Sequence, residues 1–212
     1  ALTGTNLEIS SSGELAQKGI GWVSREAPTT EGSTVFLPTT VDRYANKADN
    51  FAWYKVVGTH QAGHLEYRSF AFEFDRPSYL FPNLRTRLSK LTQQAQAPSG
   101  QLHSKSEEKR DLQPPTDMQR FFDLLPDRKL SSDIFTVIED SRLDAMIKRE
   151  YAGIRRHYLH VQHDSLGERP LIKGLPAQEA LVEFLVRLSL QKHRDLPVPT
   201  RYAEQARRIA HI

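Results

Sequence analysis

The chain has 212 residues, with 29 Lys and Arg against 26 Asp and Glu, for a formal net charge of +3. Hydrophobic residues make up 38%, enough for a core but low enough to leave part of the chain in loops. No apolar run reaches the roughly 18 residues of a membrane span, and Ala1-Leu2-Thr3-Gly4 has neither the basic nor the apolar region of a signal peptide. The absence of cysteine excludes a disulfide scaffold, a thiolate zinc site and a Cys nucleophile together, and a cytoplasmic location is the simplest expectation.

From Ala1 to Asp42 the chain is rich in Ser, Thr, Gly and Pro, with one strand-like run at Thr34-Val35-Phe36-Leu37 stopped by Pro38. A helix is predicted from about Asn50, read as its N-cap, to about Tyr67, with Trp53, Val57, His60, His64 and Tyr67 on one stripe. The period-two aromatics of residues 68–75 then predict a strand ended by Pro77. Residues 92–116 read as a linker, dividing a part over 1–91 from a more helical part over 117–212 that packs on it to form one unit. Further helices are predicted over 116–125, 132–151, 177–191 and 200–211, the third central to the core because it is apolar on most sides. The expected fold class is mainly α, with a minor β element near the N-terminus.

His60-Gln61-Ala62-Gly63-His64 carries the most chemistry. Histidines at i and i+4 on a helix stand one above the other, so two imidazoles can share one metal ion. The zincin motif His-Glu-x-x-His uses this geometry with Glu as general base, but Gln61 stands in that place here. An amide can hydrogen-bond a water yet cannot take its proton, so the metal geometry survives without the usual base. Roughly 0.3 such pairs are expected by chance, and two structural histidines bonded to carboxylates or carbonyls would give the same pattern.

A third ligand is sought on the helix over 132–151. Glu139 shares a face with Phe135, Leu143 and Met146, and a carboxylate on an apolar stripe is costly unless paired or coordinated. Pairing with Arg142 one turn on is one explanation. The other is a metal, zinc above all, held by His60, His64 and Glu139, with Gln61, Asp140, Arg142 and Asp144 around the ligands. An active hydrolase would need Glu66 or Asp140 to replace the missing base.

These blocks together resemble the NorD/CbbO group of activation proteins. The resemblance rests on Asn50 to Lys55, on the His60 to Tyr67 segment, on Ile138 to Asp144, on Arg149 to Arg156 and on the helix from Glu179 to Leu190. It implies a region upstream of a von Willebrand factor A domain, whose Asp-x-Ser-x-Ser motif does not occur here. It also implies a MoxR-type AAA+ ATPase as partner and a client metalloenzyme of the nitric oxide reductase or Rubisco type. A chain opening on Ala1 fits the expectation of a segment from a longer protein. By analogy with metallopeptidases, the expected role is a non-catalytic, zincin-like domain acting in client or ATPase binding. A purely structural helical adaptor is the plainer alternative.

The charge is uneven as well. Residues 148–212 hold twelve Lys and Arg against seven Asp and Glu, and five of the eight histidines. No ribonucleoprotein signature, phosphate loop or zinc-finger spacing accompanies them, so nucleic acid is not expected. Arg149, Arg155 and Arg156 are the candidate contacts to an acidic partner, against the alternative of a solvated helical face. His157, His160 and His163 are expected as a surface cluster between Gly153 and Gly167.

Overall fold

Helices make up most of the described structure, and two of them open on side-chain caps at Asn46 and Thr116. A computed structural model describes residues 8–11, 29–31, 34–69, 71–79, 82–95, 115–191 and 203–204. Strands β1 (Glu8–Ser11), β2 (Thr29–Glu31) and β3 (Thr34–Leu37) form one small sheet in the order β1-β3-β2. β3 is the strand read from sequence. It pairs parallel with β1, Ile9 opposite Val35, and antiparallel with β2, Thr30 opposite Val35. Val35, Phe36 and Leu37 are all buried, a run with both faces covered.

Helix α1 (Lys47–Glu66) starts a turn earlier than its sequence suggests. Asn46 is the cap, its side chain accepting from Asp49 N at 2.8 Å. Asn50 instead braces the approach from inside the helix, accepting from the Arg43 and Tyr44 backbone N–H groups at 2.8 and 2.9 Å. The described residues of the strand expected over 68–75 form no strand. Arg68 takes a left-handed turn at φ 57°, and the backbone beyond it is satisfied by side chains instead of a neighbouring strand. Phe74 N donates to Asp117 Oδ2 at 3.1 Å, and Arg85 donates to the Phe74 carbonyl.

Helix α2 (Arg85–Ala95) runs into the stretch read as linker, while residues 96–114 of that stretch lie outside the described residues. Helix α3 (Asp117–Phe122) opens on a capping box between Thr116 and Gln119. Helix α4 (Arg128–Glu150) begins a turn before its expected start, because the Asp127 carboxylate accepts from Leu130 N at 2.9 Å. Helix α5 (Arg155–Gly167), unforeseen between its glycines, carries His157, His160 and His163, with His160 and His163 exposed. Helix α6 (Ala177–Leu190) matches its expected span, but only Ala180, Glu183 and Phe184 are buried, so it is not the centre of the core. The helix expected over 200–211 lies outside the described residues except at Ala203 and Glu204, which are helical.

Contacts divide the chain at 69/70 and 135/136. One unit comprises Ala1–Ser69 with Thr136–Ile212, the other Phe70–Phe135. The first is centred on Val56 of α1, Leu143 and Ile147 of α4, and Tyr158 and Val161 of α5, flanked by Trp53, Tyr67, Tyr151 and Ile154. Buried Glu183 of α6 is neutralised within it by Arg187, at 3.0 Å, and by Arg169. The second unit is organised by edge-to-face aromatic pairs running Phe72–Phe121–Phe122–Phe135, with centroids 5.3–5.7 Å apart. It also contains a cavity of about 210 Å³ lined by Phe72, Phe74, Leu84, Arg85, Leu88 and Phe121.

Candidate metal centre

Three i,i+4 pairs on three helices build the polar heart of the first unit. α1 supplies His60 and His64, α4 supplies Asp140 and Asp144, and α5 supplies Tyr158 and Gln162. Gly63 lets α1 approach α4 at this level, since a Cβ there would lie 3.0 Å from Ile147 Cδ1.

The two imidazoles sit 5.1 Å apart between centroids, with ring planes 86° apart. His60 Nε2 is 3.5 Å and His64 Nε2 3.6 Å from the same Asp140 oxygen, Oδ1. Among the described residues, His60, His64 and Asp140 are the one group of three with ligand atoms all within 4.8 Å of one another. Ligands about 2.1 Å from a tetrahedral ion lie about 3.4 Å apart, so this spacing suits a zinc-class ion. Asp140 is 40% exposed and leaves one side open, whereas the histidines are 17% and 13% exposed.

The other ring nitrogens are taken. His60 Nδ1 lies 2.9 Å from Asp144 Oδ1 and 2.9 Å from the Tyr158 hydroxyl, which itself donates to Asp144 Oδ1 at 2.6 Å. Asp144 Oδ2 accepts from Gln162 Nε2 at 2.7 Å. His64 Nδ1 lies 3.0 Å from Ser69 Oγ, and Ser69 also bonds the Glu139 carboxylate. Both rings therefore present Nε2 to the open side, the arrangement metal-ligating histidines take when a further partner fixes their tautomer.

Glu139 stands outside this group of three. Its carboxylate is gripped in bidentate fashion by Arg142, Nε to Oε2 at 2.8 Å and Nη2 to Oε1 at 2.5 Å, and Arg142 also reaches the Tyr67 carbonyl at 3.1 Å. The Arg142 guanidinium holds the Glu139 carboxyl below its ordinary range, against the effect of burial. Pairing with Arg142 thus accounts for a carboxylate on that stripe. Asp140, one residue on, is the carboxylate grouped with the two histidines, and Asp144 is the one that faces His60 Nδ1. Gln61 is half-buried on the same helix as the histidines.

Burial pulls His60 down, but the carboxylates of Asp140 and Asp144 outweigh it and raise its pKa to about 9. Burial and the neighbouring His60 charge lower His64, opposed by Asp140 and Glu139. Burial, then the Asp144 charge and hydrogen bond, push the Tyr158 hydroxyl far up, so it remains a donor. Beside the same carboxylates, the two imidazoles are thus shifted in opposite directions.

Lys148, Tyr158, Gln162 and Ser69 were not foreseen as parts of this site. The available signal was the matching of i,i+4 polar pairs, Asp140 with Asp144 and Tyr158 with Gln162, to the histidine pair. Arg149 pairs with the adjacent Glu150 at 3.0 Å, and Arg155 and Arg156 are exposed on the first turn of α5. No helix of the described residues is long and apolar enough to cross a membrane. No family model matches the chain, and no curated protein or solved structure is similar to it.

Proposed function

We propose that His60, His64 and Asp140 bind a single divalent ion of the zinc class, in a non-catalytic, metallopeptidase-like helical domain. The observation carrying this reading is the convergence of both Nε2 atoms on Asp140 Oδ1 at 3.5 and 3.6 Å. The ion would join α1 to α4 and present an open coordination position beside the exposed edge of Asp140. Following the resemblance to NorD/CbbO proteins, the domain would serve an AAA+-associated activator by binding the client metalloenzyme or the ATPase.

A hydrolase with a replaced base has less support. Glu66 accepts the Tyr151 hydroxyl, and Asp140 is needed as ligand. Glu139 is locked by Arg142 and depressed in basicity, which makes it a poor proton acceptor.

Metal analysis and zinc titration of protein purified without an affinity tag test the reading. One zinc per chain is expected, lost in His60→Ala, His64→Ala and Asp140→Asn but kept in Glu139→Gln. A wild-type protein that takes up no zinc would return the histidines to a purely structural role. Loss in Glu139→Gln with retention in Asp140→Asn would reassign the third ligand. Gln61→Glu, with the zinc-loaded protein assayed on peptides, shows whether a restored base is enough for hydrolysis.

A further inference from the structure

The polar atoms behind the histidines form a directed chain. Lys148 Nζ donates to Gln162 Oε1 at 2.9 Å, Gln162 Nε2 donates to Asp144 Oδ2 at 2.7 Å, and Asp144 Oδ1 faces His60 Nδ1 at 2.9 Å. Gln162 is 6% exposed and Asp144 9%, so the side chains must supply their own partners.

The direction is set at both ends. An ammonium only donates and a carboxylate only accepts, so Gln162 turns its amide oxygen toward Lys148 and its NH2 toward Asp144. The reversed amide would set donor against donor at Lys148 and acceptor against acceptor at Asp144. Tyr158 adds a second donor to Asp144 Oδ1. The carboxylate is therefore fixed as the acceptor for His60, and a neutral His60 keeps its proton on Nδ1. Its Nε2 lone pair then points at Asp140 and the open side.

We propose that Lys148 is a positioning residue of the metal centre, acting through Gln162 and Asp144 to hold His60 as the Nδ1-protonated ligand. The inference rests on the reading of His60, His64 and Asp140 as a metal site. The Lys148 amine reaches His60 only through two intervening side chains, Gln162 and Asp144. Removing the ammonium leaves the buried Gln162 Oε1 without its donor. The amide is then no longer braced from behind, and its bond to Asp144 Oδ2, which holds the carboxylate against the imidazole, loosens.

Zinc affinity, measured on the full chain by competition with a chromophoric chelator, separates this role from packing. Lys148→Met keeps a flexible stem of similar length and is expected to bind zinc about tenfold more weakly. Lys148→Arg restores a donor-only group and should bind close to wild type. Gln162→Met breaks the next link and carries the same expectation as Lys148→Met, should the latter disturb packing. In zinc-loaded, 15N-labelled protein, the His60 Nδ1–H resonance should be sharp in wild type and Lys148→Arg but lost to solvent exchange in Lys148→Met. Wild-type affinity and an intact resonance in both Met variants would overturn the role of Lys148 while leaving the metal site standing. A wild-type chain that binds no zinc would remove the metal site itself, and the positioning role with it.

Discussion

His60 and His64 are alike in sequence and opposite in electrostatics. His60 gains two carboxylates and is raised to about 9, while His64 is lowered by burial and by its neighbour's charge. A histidine raised above its unfolded value of about 6.5 stabilises fully below that pH, and the contribution fades as pH rises through about 9. A histidine lowered in the folded state acts in the other direction, so stability falls as pH drops below about 6.5 and the unfolded chain takes the proton. The metal-free protein should therefore melt highest near pH 6.5, with His60 contributing on the order of 3 kcal/mol that is lost by about pH 9. Melting curves between pH 5 and 10 check this, and Asp144→Asn should flatten the alkaline limb. Zinc affinity should move oppositely over that limb, tightening as pH rises, because ligation requires His60 to surrender a proton. A flat alkaline limb in the wild type would mean that His60 is neutral in the folded protein.

Along α1, two glycines interrupt a 20-residue helix, and each costs about 1 kcal/mol of helix propensity relative to alanine. Their surroundings differ. A Cβ on Gly58 would meet Leu37 Cδ1 at 3.5 Å, an ordinary contact, whereas one on Gly63 would stand 3.0 Å from Ile147, a fully buried side chain. Gly58→Ala is expected to raise stability by up to about 1 kcal/mol. Gly63→Ala should lose about 1 kcal/mol net, since overpacking of roughly 1–3 kcal/mol exceeds the propensity gain, and it should weaken zinc binding by spreading α1 from α4. Urea denaturation of both variants decides the signs. The same helix shows how far sequence could be read. Its existence and its histidine pair were legible from spacing, as were α3, α4, α6 and strand β3; of its stripe, Trp53 and Tyr67 do flank the core, but Val56 enters it in place of Val57. The choice between Asn46 and Asn50 as cap was not, because both residues favour that position and only the approach from Arg43 and Tyr44 distinguishes them. Residues 68–75 alternate like a strand, but the described ones form none, and side chains take up the backbone of Phe74. Helix α5 was masked by Gly153 and Gly167, which turn out to flank and end it. Sequence pointed to Glu139, whereas the carboxylate grouped with the histidines is Asp140, one position and about 100° around α4, because an apolar stripe marks a buried face without saying whether a cation or a metal neutralises the carboxylate.

At the scale of the whole chain, the candidate centre belongs to one of two units. Every ligand and every orienting side chain lies in Ala1–Ser69 or Thr136–Ile212, and none in Phe70–Phe135. An ion bound only by the folded state stabilises it by RT ln(1 + [L]/Kd), about 2.7 kcal/mol at one hundred times Kd. That energy acts first on whatever must open to release the ion, here α1 and the part of α4 after Thr136. Local opening free energies vary across a structure, so the gain need not spread evenly. Hydrogen exchange followed by mass spectrometry should therefore show zinc slowing exchange in peptides covering 50–66 and 138–150. Peptides over α2 and α3 should exchange alike with and without zinc, and Asp140→Asn should abolish the difference everywhere. Equal protection of all these peptides in the wild type would mean that the two units open as one, and protection of α2 and α3 alone would place the ion elsewhere. The experiment also bears on partner binding. Protection confined to the first unit would tie the ion to the surface that carries Asp140, leaving the aromatic cavity of the second unit uncoupled from metal loading.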